Sequence, residues 1–406
     1  MSIIFDEIWP QRTQSLHKEH NGMSLFFFVF FVAPFPNWVI TNLVYSVCYT
    51  FATKYLSPIS VFVRMKRTGI LTIVLTIFLS CNNKKGPDIS AIKADITIQR
   101  FDKDCFSMDT IALEKSVSGL ELKYPTLLPI FFKNIVGVEY ESNPSGIKNY
   151  LNLNRPIFDS VAKEFKNTDR TESELEAAFR YVKYYFPDYK IPKIYTIVGP
   201  IDVLAKMNNG DYTPNFLGPD FLSISLQFYL GADFSIYHHE FFIGNVAPLY
   251  RSRRFEKKYI VPDAMKLIVD DLFPEKSSGK PLIDQIIEKG KQWWMLDHFM
   301  PNTPDSLKTG YTQKQLEWCS ENEGLIWNYI KQNENPFSIE PVVIQTYLGE
   351  SPYTQGMPES SPGNLGQWVG LQIVKKFVRN NPALLPGEVM RTDPKKILEE
   401  AKYKPK

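Results

Sequence analysis

Hydrophobic residues recur at helical spacing over much of the chain beyond residue 100. The clearest case follows a capping box, Thr171-Glu172-Ser173-Glu174, and stops at Pro187, which predicts an amphipathic helix. The segment 111–138 is apolar and broken by prolines, which indicates one or two short helices. Five further helices are predicted, at 257–272, 281–299, 312–330, 362–379 and 394–403.

Few segments carry the pattern of a strand. Residues 95–100 alternate between apolar and polar side chains, and 191–198 and 221–230 are rich in β-branched and aromatic residues. The sequence therefore predicts an α+β fold that is predominantly helical, with a small sheet.

An export signal lies inside the chain rather than at its start. Met65-Lys66-Arg67, an apolar run over 70–79 and the pair Ser80-Cys81 predict a bacterial lipoprotein signal peptide over 65–80, with acylation at Cys81. Phe78 and Leu79 depart from the usual lipobox, which has Leu and then a small residue there. Residues 81–94 begin with a polar, turn-prone run, which indicates a flexible tether to the lipid.

The position of this signal affects the interpretation of everything upstream. Residues 24–51 are apolar, but two prolines and Asn37 interrupt them, which is unusual for a membrane span. Our interpretation is that translation starts at Met65 and that 1–64 is an upstream extension from a mis-called start. The alternative is an extra membrane segment. Residues 95–406 are long enough for a single globular domain.

Composition narrows the classes of partner. A net charge of +2 over 406 residues, with cations and anions interspersed, gives no reason to expect nucleic-acid binding.

The four cysteines form no C-x-x-C pair. After export, Cys105 and Cys319 would be the spare thiols, either as a disulfide or as two buried unpaired side chains.

One segment has the beginning of a metal motif. His239-Glu240 starts like the helical zinc motif H-E-x-x-H, which needs a second histidine one helical turn after the first. Counted from His239, that position holds Ile243. Counted from His238, it holds Phe242. His239 and Glu240 are therefore degenerate candidates, and we predict no metal, cofactor or assembled catalytic site.

Other chemistry-bearing residues have a structural alternative. Glu317, Glu321 and Glu323 could supply an acid/base pair or form a solvated helix face. The glycines at 363, 366 and 370 lack a nucleotide-binding pattern and favour close helix packing. Core packing is the expected role of the tryptophans at 293, 294, 318, 327 and 368, and ligand stacking is the alternative.

Seven stretches in order carry a resemblance to a known family. They are 99–102, 224–231, 254–266, 290–297, 309–318, 361–370 and 397–405. Together they resemble the gliding-motility lipoprotein GldB of Bacteroidetes-type bacteria.

The resemblance implies a membrane-anchored lipoprotein of the cell envelope, facing the periplasm or the cell surface and required for gliding. Its partners would be membrane lipid, through an acylated Cys81, and other gliding or envelope proteins.

The chain is also distantly similar to zinc-dependent peptidases of zincin-like fold, with Pro262 and Lys266 where the two histidines would be. A cation there repels a metal. This implies a zincin-like scaffold without an intact metal motif, acting in binding or assembly; the alternative is a divergent envelope metallohydrolase or peptidase.

Overall fold

The structure, a computed structural model, describes residues 86–207, 212–333 and 335–405. The α-helices of these ranges are α1 Phe101–Phe106, α2 Leu113–Lys123, α3 Leu127–Pro129, α4 Pro144–Glu164, α5 Asp169–Tyr185, α6 Glu240–Asn245, α7 Leu249–Ser252, α8 Ile260–Leu272, α9 Leu282–Phe299, α10 Asp305–Thr309, α11 Gln313–Glu321, α12 Glu323–Asn333, α13 Pro341–Leu348, α14 Leu365–Asn380, α15 Pro386–Arg391 and α16 Pro394–Ala401. A π-helix, Ile130–Val136, follows α3 directly. The strands are β1 Ile98–Gln99, β2 Lys193–Ile197, β3 Ala205–Lys206, β4 Tyr212–Thr213, β5 Phe216–Leu217 and β6 Phe221–Ser225. The predominantly helical α+β class is thus confirmed.

Four strands form one sheet in the order β1-β2-β6-β5. The first three are parallel, and β5 is antiparallel to β6. Every residue of β6 is buried, as are Ile194–Ile197 of β2. Because successive side chains point to opposite faces, the sheet is covered on both sides. The predicted strand 221–230 ends early, at Ser225, where a 3₁₀ turn begins.

The central helix is α9, which is buried along most of its length. It packs against α14, where Gly290 and Gly370 face each other. The close packing predicted for the glycines is confirmed. Core packing is also confirmed for four tryptophans, which are at most 8% exposed: Trp293, Trp294, Trp327 and Trp368.

Two predicted helix starts are confirmed, and one is wrong. Thr312 and Gln315 form the predicted capping box, and Asp393 accepts from the Lys395 amide at 2.9 Å. The helix predicted to start at the 171–174 box begins earlier, at Asp169. The Glu174 carboxylate, which the predicted box would direct at the helix start, instead accepts from Arg170 Nε at 2.8 Å, and Glu172 accepts from the Ile98 amide of β1 at 3.1 Å.

The longest helix of the described ranges, α4, was not predicted. Pro144 occupies the first turn of this helix, where no amide is needed. The Asn143 side chain caps the start by accepting from the Gly146 amide at 2.9 Å. Pro156 lies inside the helix, where a proline normally destabilises it. Burial of the apolar face of the helix offsets this cost.

The N-terminal predictions fall outside these ranges. Residues 1–64, the signal at 65–80 and Cys81 are not among the described residues, and the predicted tether is described only from Gly86. Ala94, at the end of that segment, is already buried. Within the described ranges, which belong to one compact unit, no helix has the length and hydrophobicity to span a bilayer.

Candidate functional site: a cleft with two chambers

A polar cleft lies where α7, α8, α9 and α14 come together with the loops that precede α11 and follow α13. It has an inner chamber of about 90 Å³ and an outer chamber of about 490 Å³. The two chambers adjoin, because they share four lining residues: Arg254, Thr309, Glu350 and Asn364. Charged side chains line both, which distinguishes the cleft from the apolar core.

An ion-pair cluster separates the chambers. Arg251 donates from Nε to Oε2 of Glu350 at 2.6 Å, and Arg254 donates from Nη2 to the other carboxylate oxygen. Burial alone would raise the pKa of Glu350, but Arg254 and Arg251 outweigh it, and the pKa is lowered. Glu350 is therefore ionised at neutral pH and holds both guanidinium groups.

A glycine turn on a neighbouring segment leaves room for Arg254. Gly310 has φ +75°, and a Cβ placed on it would lie 2.6 Å from Nη1 of Arg254. Arg253 donates to the Gly310 carbonyl at 2.6 Å and to the Tyr250 carbonyl at 3.0 Å. No carboxylate of the described residues pairs with Arg253, and burial, followed by repulsion from Arg254, lowers its pKa.

A second ion pair lies on α8, in the wall of the inner chamber. Lys266 Nζ is 3.0 Å from Asp263 Oδ1, one helical turn away. Tyr229 donates to the other oxygen of Asp263 at 3.3 Å. Burial raises the pKa of Tyr229 well above its ordinary value, so the phenol remains a neutral donor. Asp263 thus has a cation and a hydroxyl as partners.

Three polar side chains line the cleft without a hydrogen-bond partner among the described residues. They are the indole N–H of Trp293 and the amides of Gln367 and Asn364. Trp293 is 8% exposed and Gln367 is 4% exposed. Asn364 has φ +45°, a left-handed conformation that is uncommon outside glycine and often marks functional sites. These groups are available to a ligand.

The degenerate metal candidates lie elsewhere on the surface. His239 and Glu240 are exposed at the start of α6, where His239 Nδ1 accepts from the Phe241 amide at 3.3 Å. His239 therefore serves as a helix cap. His298 is half-buried and bonded to the Trp294 carbonyl at 2.9 Å. No group of three or more metal-ligating side chains occurs in the ranges that the structure describes.

The two spare cysteines are free thiols. Cys105 and Cys319 are both buried, so the structure has the unpaired arrangement and not the candidate disulfide. Burial raises the pKa of both thiols. They are core residues, because a buried thiol that resists ionisation is a poor nucleophile.

Among the three glutamates singled out from the sequence, two line the outer chamber. Glu317 and Glu321 are exposed on α11, and Glu317 accepts from the Gln313 amide at 3.0 Å. Glu323 instead accepts from the Tyr403 hydroxyl at 2.7 Å and supports the packing of the C-terminus.

Sequence reasoning missed most of the cleft. Arg251, Arg253, Arg254, Glu350 and Gln367 were not proposed as site residues. A signal was present in the Arg-Ser-Arg-Arg run at 251–254, since three cations within four residues are unusual in a chain of mixed charge. The partner Glu350 lies 99 positions after Arg251, and no local pattern connects them.

The fold and the cleft define a predominantly helical α+β protein with a polar, ion-paired cleft. Comparison with known proteins identifies the family: the model for gliding motility protein GldB matches residues 82–405. The chain belongs to this family. No curated protein and no solved structure matches it. Four of the seven stretches that carry the resemblance contribute to the cleft: 254–266, 290–297, 309–318 and 361–370.

Proposed function

We propose that this protein is a lipid-anchored component of the cell envelope that is required for gliding and acts through binding or assembly rather than catalysis. Membership of the gliding-motility family supports the process. The predicted signal at 65–80 and the thiol of Cys81 support the lipid anchor. Membrane lipid and other envelope proteins are the partners that this function implies.

The observation that carries the non-catalytic role is the state of the carboxylates in the inner chamber. Asp263 is paired with Lys266, and Glu350 is held by two arginines. A general base must be free to accept a proton, and an ammonium group 3.0 Å from a carboxylate repels a divalent cation. The arrangement favours recognition of a ligand by fixed charges.

The anchor is tested with Cys81→Ala and, as a matched control, Ser80→Ala, which keeps a small residue before the thiol. In a strain that lacks its own copy, we expect Cys81→Ala to move the protein from the membrane to the soluble fraction and to stop incorporation of labelled palmitate. Ser80→Ala should behave as the wild type. Membrane retention of Cys81→Ala in high salt would contradict the lipid anchor.

The non-catalytic role is tested by colony spreading. We expect deletion to abolish spreading, while His239→Ala and Glu240→Gln restore it as fully as the wild-type gene. The divergent metallohydrolase predicts the opposite, namely that both substitutions behave like the deletion. Stoichiometric zinc in the purified protein, lost in His239→Ala, would also favour the hydrolase.

A further inference from the structure

Among the residues that the structure describes, more cations than carboxylates line the inner chamber. The cations are Arg251, Arg254 and Lys266, and the carboxylates are Asp263 and Glu350. A surplus charge in a partly buried chamber is unfavourable unless a counter-charge enters. The chamber is therefore suited to an anionic group.

The donors around this chamber specify the kind of anion. Trp293 presents an indole N–H and Gln367 an amide, both more than nine-tenths buried and without a partner among the described residues. The same arginines already bind a carboxylate, that of Glu350, through one guanidinium on each oxygen. A second carboxylate placed here would find the guanidinium N–H groups that Glu350 does not use and, beside them, two further N–H donors.

The outer chamber has its charges in a fixed order along α11. Gly310 lies against Arg254 and two residues before the Thr312 cap, so the arginines are at the N-terminal end of this helix. Glu317 and Glu321 lie further along it and also line the chamber. At a rise of 1.5 Å per residue, Glu321 is about 10 Å beyond Lys314 in the first turn. Along α11, the chamber thus has cations at the start of the helix and carboxylates further on.

We propose that the cleft binds a peptide segment, with a carboxylate of the segment in the inner chamber and a basic side chain against Glu317 and Glu321. This rests on the proposed binding role and names the ligand class for it. Asn364 lines both chambers and offers its amide to the peptide backbone between the two charges. An outer chamber of about 490 Å³ is within the usual size range of ligand sites.

The experiment is affinity selection on the immobilised full chain in detergent. The probe is a synthetic heptapeptide library, made once with free and once with amidated C-termini, and bound peptides are identified by mass spectrometry. We expect enrichment of peptides that carry an acidic group together with Lys or Arg, because the carboxylate enters the inner chamber and the basic side chain lies against Glu317 and Glu321. If peptides are selected only from the free-acid library, the bound group is the terminal carboxylate. If they are selected from both libraries, the bound group is an Asp or Glu side chain.

Three variants connect the selection to the cleft. Gln367→Leu removes one donor with little change of volume, and Trp293→Phe removes the other and leaves a smaller aromatic ring. Each should weaken a selected peptide at least about tenfold by calorimetry. Glu321→Lys lies on an exposed helix face and should change the preference at the basic position to Asp or Glu. Glu399→Lys, on the exposed face of α16, is the matched control and should bind as the wild type does.

The outcomes separate this inference from the proposed function. An absence of acidic residues among selected peptides, or selection unchanged in Glu321→Lys, would overturn the peptide site while leaving the anchored, non-catalytic role intact. Cleavage of the bound peptides by wild-type protein would have the opposite meaning: the cleft would be a peptide site, and the non-catalytic role would be wrong.

Discussion

Gly370 of α14 contacts Gly290 of α9 without any side chain between the two backbones. A Cβ on Gly370 would lie 1.9 Å from the Ile286 carbonyl oxygen and 3.1 Å from the Gly290 Cα. Both distances are shorter than van der Waals contact, and both involve backbone that cannot rotate away. This crossing fixes the distance between the helices that carry Trp293 and Gln367 into the cleft.

Gly370→Ala should therefore destabilise the protein despite the higher helix propensity of alanine. We expect a loss of about 3 kcal/mol in the free energy of unfolding, at the upper end of the range for overpacking, because two helix backbones must separate. Urea denaturation followed by circular dichroism measures it. Gly119→Ala, in the exposed face of α2 with no atom near the added methyl, should stabilise by up to about 1 kcal/mol. Equal stability of the two variants would disprove the close crossing.

Asp102 is a fully buried carboxylate that links α1 to the sheet. It accepts from Arg100 Nε at 2.8 Å and from Thr196 of β2 at 2.5 Å. Asp102→Asn should cost about 3 kcal/mol, because Arg100 loses its only carboxylate partner in the described ranges. Chemical denaturation at neutral pH checks this. Glu174→Gln, which breaks an exposed pair with Arg170, should cost less than about 1 kcal/mol, and a similar loss in both would contradict the argument.

The Glu350 cluster predicts a specific dependence of stability on pH. Folding lowers the pKa of Glu350, so the cluster stabilises the fold above the pKa of an unfolded glutamate, about 4.3, and this contribution disappears as pH falls through the lower folded value. Glu350→Gln should be roughly 1–3 kcal/mol less stable than the wild type at pH 7. The difference should shrink below about pH 4.

Unfolding free energies measured from pH 7 to pH 3 test this prediction. Glu359→Gln is the control, since Glu359 is an exposed residue that lines the outer chamber and lies outside the ion-pair cluster. It should follow the wild-type curve throughout. A constant difference between Glu350→Gln and the wild type at all pH values would show that the arginines do not depend on the ionised carboxylate.

The buried thiols should be unreactive in the folded protein. Burial raises the pKa of Cys319 to about 12, and burial followed by the charge of Asp102 raises that of Cys105. Alkylation by iodoacetamide at pH 8 should be at least about 100-fold slower at both positions than in urea, because the thiolate is the reactive form. Peptide mass spectrometry distinguishes the sites. A Cys105–Cys319 linked peptide under non-reducing conditions would instead establish the disulfide.

Sequence reasoning identified the features that depend on neighbouring residues. The capping box of Thr312 and Gln315 and the Asp393 cap are local, and each formed as predicted. The single helix predicted over 312–330 is wrong in its extent, because it divides at Asn322 into α11 and α12. The burial of the tryptophans followed from their size and apolar character. Caps and helical spacing depend on residues within one or two helical turns of each other, so they can be recognised in a single sequence.

The cleft depended on tertiary structure. Arg251 meets Glu350 across 99 positions, and Gly290 meets Gly370 across a helix crossing whose register no local pattern contains. By contrast, His239 and Glu240 looked like a metal motif in sequence and are exposed at the start of α6. The sequence by itself determined which segments fold into helices and which side chains are apolar enough for the core. Only the packing of those helices decided which charges face one another, because their distances depend on contacts between segments that are remote along the chain.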